Sequence, residues 1–424
     1  MMTRLLPGPL LGVEAAVRVP TSKSLTNRAL IASAAANGGC IQRPLDCDDT
    51  RLLSRALNEA GWPVVWGEKI LIGPRKPVPE ANVNLGNSGT GARLILGLLA
   101  CVAGRFRVDG TSRLQERPML PLVEALVVLG SEISSQGGFL PIDLVGGRLA
   151  GGRLQLRPEI SSQFVSSLLL AGPLMEKGLE LEVVGPVPSR PYLDLTRDVM
   201  VDFGASISLD ASDCWRVKPG GLRPTTYIVE GDWSAMAFAA AAVAVARGSV
   251  TIGPLSSMSS QGDRAICEIL ESAGLKLGFS GEELEISGWM TRPFKADLKG
   301  TPDLFPALVV VAAAGPPGSV LSGIEHLKHK ESNRLTVMVD NLGRLGAVFD
   351  LSPTALVVRK GIERNHSGVI PVTAADDHRV AMAMAVAALA AGELELDDAT
   401  CVGKSYPGFW EMWDTLVDGG GRRG

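Results

Sequence analysis

The sequence predicts an α/β protein of two domains, each holding three copies of one structural unit. Three observations lead there. At 424 residues the chain is too long for a single ordinary core. One pattern occurs six times: strand, polar turn, apolar helix, Gly, strand, polar turn, second helix. Its copies begin near Val17, Val83, Leu154, Tyr227, Ala296 and Ile370, 66 to 74 residues apart. That period is too long for a solenoid repeat and too short for an ordinary stable domain, so several copies must share a core. Six copies divide into two threes.

The first copy reads "VRVPTSKSLTNRALIASAAANGG", then "DDTRLLSRALNEAGW". Its first helix is apolar on nearly every side. Its second helix is striped, with Leu52, Leu53, Ala56 and Leu57 set among Arg51, Arg55, Asn58 and Glu59. The first helices of the later copies are "RLILGLLACVA", "SSQFVSSLLLAGPL", "SAMAFAAAAVAVA", "PDLFPALVVVAAAG" and "RVAMAMAVAALAA". A helix without a polar stripe is buried on all sides, whereas a striped helix covers a sheet from outside. The inner helices of three copies therefore pack together. The short segment before the first copy is left to complete the second domain, so the chain crosses between domains twice. The predicted domains are residues 20–228, and residues 1–19 with 229–424, with a site in the cleft between them.

Composition narrows the partners. Apolar residues make up 46% and charged residues 20%, as in a well-packed globular protein. A net charge of −4 and scarce aromatics (5%) give no general pull toward nucleic acid or an anionic membrane. The longest apolar runs, near Ala235–Ala246 and Val380–Ala391, are too short to span a bilayer. The opening Met1–Gly12 stretch is too short and too broken by proline for a signal peptide. The six cysteines form no C-x-x-C pair, which fits free thiols in a reducing cytoplasm. His326 and His329 lack neighbouring Cys or Asp partners, so no metal site is expected.

The polar turns before the apolar helices carry the chemistry. A helix amino end has unpaired N–H groups and a positive partial charge, and it favours anions. These turns hold Lys23, Ser24 and Arg28; Asn87 to Gly91 with Arg93; Ser161, Ser162 and Gln163; Asp303; and Asp377 with Arg379. Ser22 is placed to cap the first helix. Lysine is disfavoured in a first turn, so Lys23 points to a bound anion. Gly89 lets a backbone N–H approach an anion closely. Neither phosphate-loop nor dinucleotide fingerprint occurs in "LGNSGTGARL". Arg113, Arg117 and Lys404 add cations. The most charged stretch is "HLKHKESNRL", His326 to Leu335. If a helix starts near Glu331, Lys330 and Arg334 share one face. Asp303 and Glu331, in separate turns amid cations, form a candidate acid–base pair.

The ordered set "PTSKSLTNRAL", "LGNSGTGARL", "RLQERP", "SSQF", "PSRPYLDLT", "GTPDLFPALV", "KESNR", "DDHRVAMAMA" and "GKSYPGFWE" resembles the EPSP synthase (3-phosphoshikimate 1-carboxyvinyltransferase) family over essentially the whole chain. The resemblance implies two domains, each of three βαβαββ units with mixed sheets. It implies transfer of the enolpyruvyl group of phosphoenolpyruvate to the 5-hydroxyl of shikimate 3-phosphate, with no metal or organic cofactor. It implies that Lys23, Ser24, Arg28, Ser161, Ser162, Gln163, Ser189, Tyr192, Asp303, His326 and Lys330 bind shikimate 3-phosphate. It places Lys23, Gly89, Arg117, Gln163, Arg334, Arg379 and Lys404 around phosphoenolpyruvate. Asp303 is implied as base and Glu331 as acid, with Lys23 also catalytic. A cytoplasmic monomer is expected. The chain departs from the family at Asn333, often Asp; at His326, Asn in some members; at Leu94, often Pro; and at Asp376, more usually Asn or His. None of these removes a cation or either carboxylate.

Two other functions compete with this one. A UDP-N-acetylglucosamine enolpyruvyltransferase would share the fold and the donor, but should show Lys-Asn in the first turn and a loop cysteine; here the turn is Lys23-Ser24 and "RLQERPM" lacks Cys. A non-catalytic anion-binding protein would have no need of both Asp303 and Glu331.

Overall fold

The computed structural model describes residues 2–158, 161–364 and 366–419. Glu159 and Ile160 of the third copy, Asn365, and the outermost residues of the second predicted domain, Met1 and 420–424, lie outside the described residues. The chain forms two compact units, Thr21–Val229, and Met1–Pro20 with Glu230–Gly424.

The unit Thr21–Val229 contains α1 (Lys23–Ala35), α2 (Asp48–Glu59), α3 (Gly89–Ala100), the short α4 (Ser112–Gln115), α5 (Leu120–Val128), α6 (Ser162–Ala171) and α7 (Pro191–Asp202). The inner helices α1, α3 and α6 are buried and touch one another. Their closest approach needs a glycine: a Cβ on Gly97 of α3 would sit 2.6 Å from the Ser167 carbonyl oxygen of α6. There the Gly97 N–H donates to Ser167 Oγ at 3.2 Å. The outer helix α5 breaks the amphipathic rule, leaving Leu120, Val127 and Val128 exposed.

Each four-stranded sheet starts with a parallel pair and continues antiparallel. Glu80–Asn84 runs parallel to Gly104–Asp109, which pairs antiparallel with Phe139–Gly146, and Glu132–Gln136 closes the edge. Gly152–Leu156, Leu179–Val183, Cys214–Val217 and Ile207–Leu209 repeat the order. In the first copy, Gly39–Gln42 takes its parallel partner from the end of the unit, Thr226–Ile228.

The other unit contains α8 (Trp233–Ala246), α9 (Ile266–Ala273), α10 (Phe305–Ala314), α11 (Arg334–Arg344), α12 (His378–Ala391) and α13 (Phe409–Asp418). Its inner helices α8, α10 and α12 pack mutually. Alanine supplies about half of α8 and α12, which costs no side-chain entropy and lets the helices approach closely. The leading strand Val13–Arg18 pairs parallel with Gly248–Gly253. The strand that opens the first copy thus lies in the second unit, and the strand that opens the fourth lies in the first. The last sheet has three strands, with Arg4–Leu6 antiparallel to Leu394–Leu396. Each unit has its own apolar core. The fold is the α/β arrangement of repeated units with mixed sheets and buried inner helices that the sequence predicts.

Candidate active site

In the unit Thr21–Val229, three helix amino ends carry the sequence-predicted residues. Ser22 caps α1, accepting from the Leu25 N–H, and the helix opens on Lys23. The dipole penalty on Lys23 is offset by Asp49, whose Oδ2 lies 2.9 Å from Lys23 Nζ. Asp49 is itself in the first turn of α2, where a carboxylate is favoured. One ion pair therefore joins two helix amino ends. A turn below, Arg28 is 1% exposed. It donates from Nε to Thr196 Oγ1 (2.8 Å), from Nη1 to the Ser24 carbonyl (3.0 Å) and from Nη2 to the Tyr192 carbonyl (3.1 Å). Burial pushes its pKa down to about 10, which still leaves it charged at neutral pH. Arg28 thus fixes Ser24 and Tyr192 relative to each other. Ser189 precedes α7 with φ of +59°, a left-handed conformation that is uncommon for a residue with a Cβ.

Arg117 is buried against the first residue of α3. A Cβ on Gly89 would lie 2.5 Å from its Nη1, so any larger residue there would push the Arg117 guanidinium away from the helix end. A cation packed on a positively polarised helix end is an arrangement suited to an anion between them. Ser161 caps α6 and accepts from the Gln163 N–H at 3.2 Å. The Gln163 amide is oriented at both ends: Oε1 accepts from Arg93 Nη1 at 2.7 Å and Nε2 donates to Thr90 Oγ1 at 2.8 Å. The sequence offered Arg93 as a cation of the Asn87–Gly91 turn, without its task of holding Gln163. Ser162 is buried in the first turn of α6. Arg113 pairs with Glu116 at 2.7 Å.

In the other unit the polar turns meet on one guanidinium. Arg334 is fully buried. Its Nε donates to Asp377 Oδ2 (2.9 Å), Nη1 to Asp303 Oδ1 (3.0 Å) and Nη2 to Glu331 Oε2 (2.7 Å). Asp303 accepts on its other oxygen from Arg379 Nη2 at 2.9 Å, and Lys330 Nζ lies 3.9 Å away. Burial alone would raise the Asp303 pKa, but Arg379, Lys330 and Arg334 outweigh it and hold the carboxyl well below the usual carboxylate range. Burial also opposes the charge on Arg334, and Asp377, Glu331 and Asp303 more than restore it.

The local sequence explains how these groups meet. The helix α11 begins at Arg334, not near Glu331, because Asn333 caps it by accepting from the Thr336 N–H. Lys330 and Glu331 therefore lie in the preceding turn, and Lys330 does not share a helical face with Arg334. Both cations still reach Asp303. Asp303 sits in the 3-10 turn Pro302–Leu304 just before α10. Asp377 caps α12 through the Arg379 N–H and reaches Arg334 as well, linking two helix amino ends. His378 Nε2 lies 2.6 Å from Arg379 Nη1. A guanidinium only donates, so His378 accepts and its ring is neutral. His326 is 9% exposed, with no hydrogen-bond partner for Nε2 among the described residues. Burial, then Lys330, pushes its pKa down to about 3. Lys404 ends the 3-10 turn Thr400–Lys404 and is buried.

The sequence profile of EPSP synthase (3-phosphoshikimate 1-carboxyvinyltransferase) matches residues 10–413. The 3-phosphoshikimate 1-carboxyvinyltransferase of Methanoculleus marisnigri is 39% identical over 410 residues, covering 94% of this chain and 96% of the relative. Among solved structures, the EPSP synthase of Acinetobacter baumannii superposes with a TM-score of 0.75 at 25% identity, over 98% of each chain. The enolpyruvyl transferase NikO of Streptomyces tendae shares the fold, with a TM-score of 0.76 at 19% identity over 97% of this chain and 96% of its own. With its profile matched over nearly its whole length, the chain belongs to the EPSP synthase family.

Proposed function

We propose that the protein transfers the carboxyvinyl group of phosphoenolpyruvate to the 5-hydroxyl of shikimate 3-phosphate and releases phosphate. The observation that carries this reading is the pair of carboxylates, Asp303 and Glu331, held on one buried guanidinium amid further cations. Both substrates are anionic, so joining them needs concentrated positive charge. Lys23, Ser24, Arg28, Ser161, Ser162, Ser189 and Tyr192 of one unit, with Lys330 and His326 of the other, bind shikimate 3-phosphate. Arg117, the Gly89 turn, Gln163, Arg334, Arg379 and Lys404 bind phosphoenolpyruvate, with Lys23 reaching both. The substrates therefore draw on residues of both units. Such an enzyme works in the cytoplasm as a monomer. No helix among the described residues is long and apolar enough to cross a membrane.

Glu331 gives a proton to C3 of phosphoenolpyruvate while Asp303 takes one from the 5-hydroxyl, whose oxygen bonds to C2. The tetrahedral adduct then loses a C3 proton and its phosphate, restoring the C=C bond as a vinyl ether. The depressed Asp303 pKa makes it a poor base in the unliganded site. An arriving carboxylate or phosphate competes for Arg379 and Arg334, and as it takes their charge the proton affinity of Asp303 rises. Substrate binding thereby readies the base.

The test is release of inorganic phosphate on mixing both substrates. It should require both, continue in EDTA, and fail when UDP-N-acetylglucosamine replaces shikimate 3-phosphate. Release from phosphoenolpyruvate alone would overturn the assignment.

A further inference from the structure

A second buried carboxylate lies close to this cluster and has no role in the reaction as written above. Asp263, in the 3-10 turn Gly262–Ala265, is 2% exposed. Ser234, in the first turn of α8, donates to its Oδ2, and Oδ1 has no hydrogen-bond partner among the described residues. No Lys or Arg forms an ion pair with it among the described residues. The 3-10 turns that carry Asp263 and Asp303 both pack on α8. Asp303 and Arg379 lie within electrostatic reach of Asp263, as does Asp232, the cap of α8. On α9, which also packs on this turn, Glu268 and Glu271 are exposed.

A buried carboxylate with one hydroxyl donor and no cation is cheapest when it keeps its proton. Burial first, and Asp303 next, push Asp263 up to about 7, against the pull of Ser234 and Arg379. Two neighbouring carboxylates are therefore driven in opposite directions, Asp303 toward the ion and Asp263 toward the acid.

Resting on the reaction proposed above, we propose that Asp263 is a positioning residue that must stay protonated for Arg379 to serve Asp303 and phosphoenolpyruvate. When it ionises, its charge draws on Arg379 and repels the incoming anion. Loss of that proton then forms the alkaline limb of kcat/KM for phosphoenolpyruvate.

The test compares the wild type with Asp263→Asn, a permanently neutral isostere, and Ser234→Ala, which removes the hydroxyl that favours the ion. One readout needs no substrate. A folded-state pKa raised above the unfolded value gives stability that is full below the ordinary carboxylate range and is lost as pH rises toward about 7. Urea titrations across that window should show this decline in the wild type. Asp263→Asn should flatten it, and Ser234→Ala should move its end to higher pH. In kinetics, Asp263→Asn should carry acid-side kcat/KM into the alkaline range, a several-fold gain over wild type there, and Ser234→Ala should shift the limb upward by the same amount as its stability curve. A flattened stability curve with an unchanged kinetic limb would overturn the link to Arg379. An unchanged stability curve in both variants would overturn the protonated state itself. Absence of phosphate release by the wild type would sink the proposed reaction instead, leaving the urea result to decide whether Asp263 holds a proton.

Discussion

At the residue scale, Arg334 decides how the carboxylate cluster holds together. Breaking a buried charge pair by removing one partner typically costs about 3–5 kcal/mol, because the other partner is left unpaired. Arg334→Leu takes the shared guanidinium from Asp377, Glu331 and Asp303, of which Asp303 keeps Arg379 and Lys330, and should lower urea stability by roughly that amount. Arg334→Lys keeps the charge but loses the fork that serves Asp377, Asp303 and Glu331 together, so it should also fail to restore activity. Asp303→Ala and Glu331→Ala should each lower kcat by about 10²–10⁴-fold with a smaller change in substrate binding, as measured by single-turnover kinetics. His326 offers a pH test. Its folded-state pKa is depressed to about 3, so the unfolded chain binds the extra proton first as pH falls below the ordinary imidazole value. Stability should decline from about pH 6.5 toward about 3, and His326→Gln should flatten that decline in urea titrations. The sequence displayed most of these residues, because polar turns stand out before all-apolar helices. What it could not display is who holds whom. Asp377 to Arg334 spans 43 positions and Asp49 to Lys23 spans 26, and no local pattern encodes such pairings.

At the scale of the element, the period of apolar residues separated inner from outer helices, since burial on all sides leaves no room for a polar stripe. The start of α11 was harder to read. Charge spacing suggested Glu331, but an Asn cap outweighs a favourable ion-pair spacing, which is worth only about 0.3–0.5 kcal/mol. Asn333→Ala should cost about 1 kcal/mol. The α3–α6 contact is less forgiving. Gly97→Ala drives a methyl group into the Ser167 carbonyl and should cost about 1–3 kcal/mol by overpacking, read as a lower urea midpoint with an unchanged slope. α5 hid its exposed face from the sequence, because it lacks the polar stripe that marks an outer helix.

For the whole molecule, the proposed reaction draws on cations from both units, and an anion bound by both sets would offset their mutual repulsion. Shikimate 3-phosphate should therefore reduce the radius of gyration in small-angle scattering, more at low salt, where screening is weak. An unchanged radius at saturating ligand, in protein shown to be active, would count against this. The exchange of opening strands bears on a different question, the order of events at the ribosome. Every strand of the unit Thr21–Val229 has left the exit tunnel soon after Ile228 is made. Val13–Arg18 emerges earliest of all these segments, yet its partner Gly248–Gly253 is translated more than two hundred residues later. At about 5–20 residues per second, the nascent chain carries an unsatisfied strand for tens of seconds. The earlier-made unit is thus complete while its own leader is still waiting, and a nascent chain stalled only once Gly253 has cleared the exit tunnel, about 30 residues further on, is the first in which that strand can be protected.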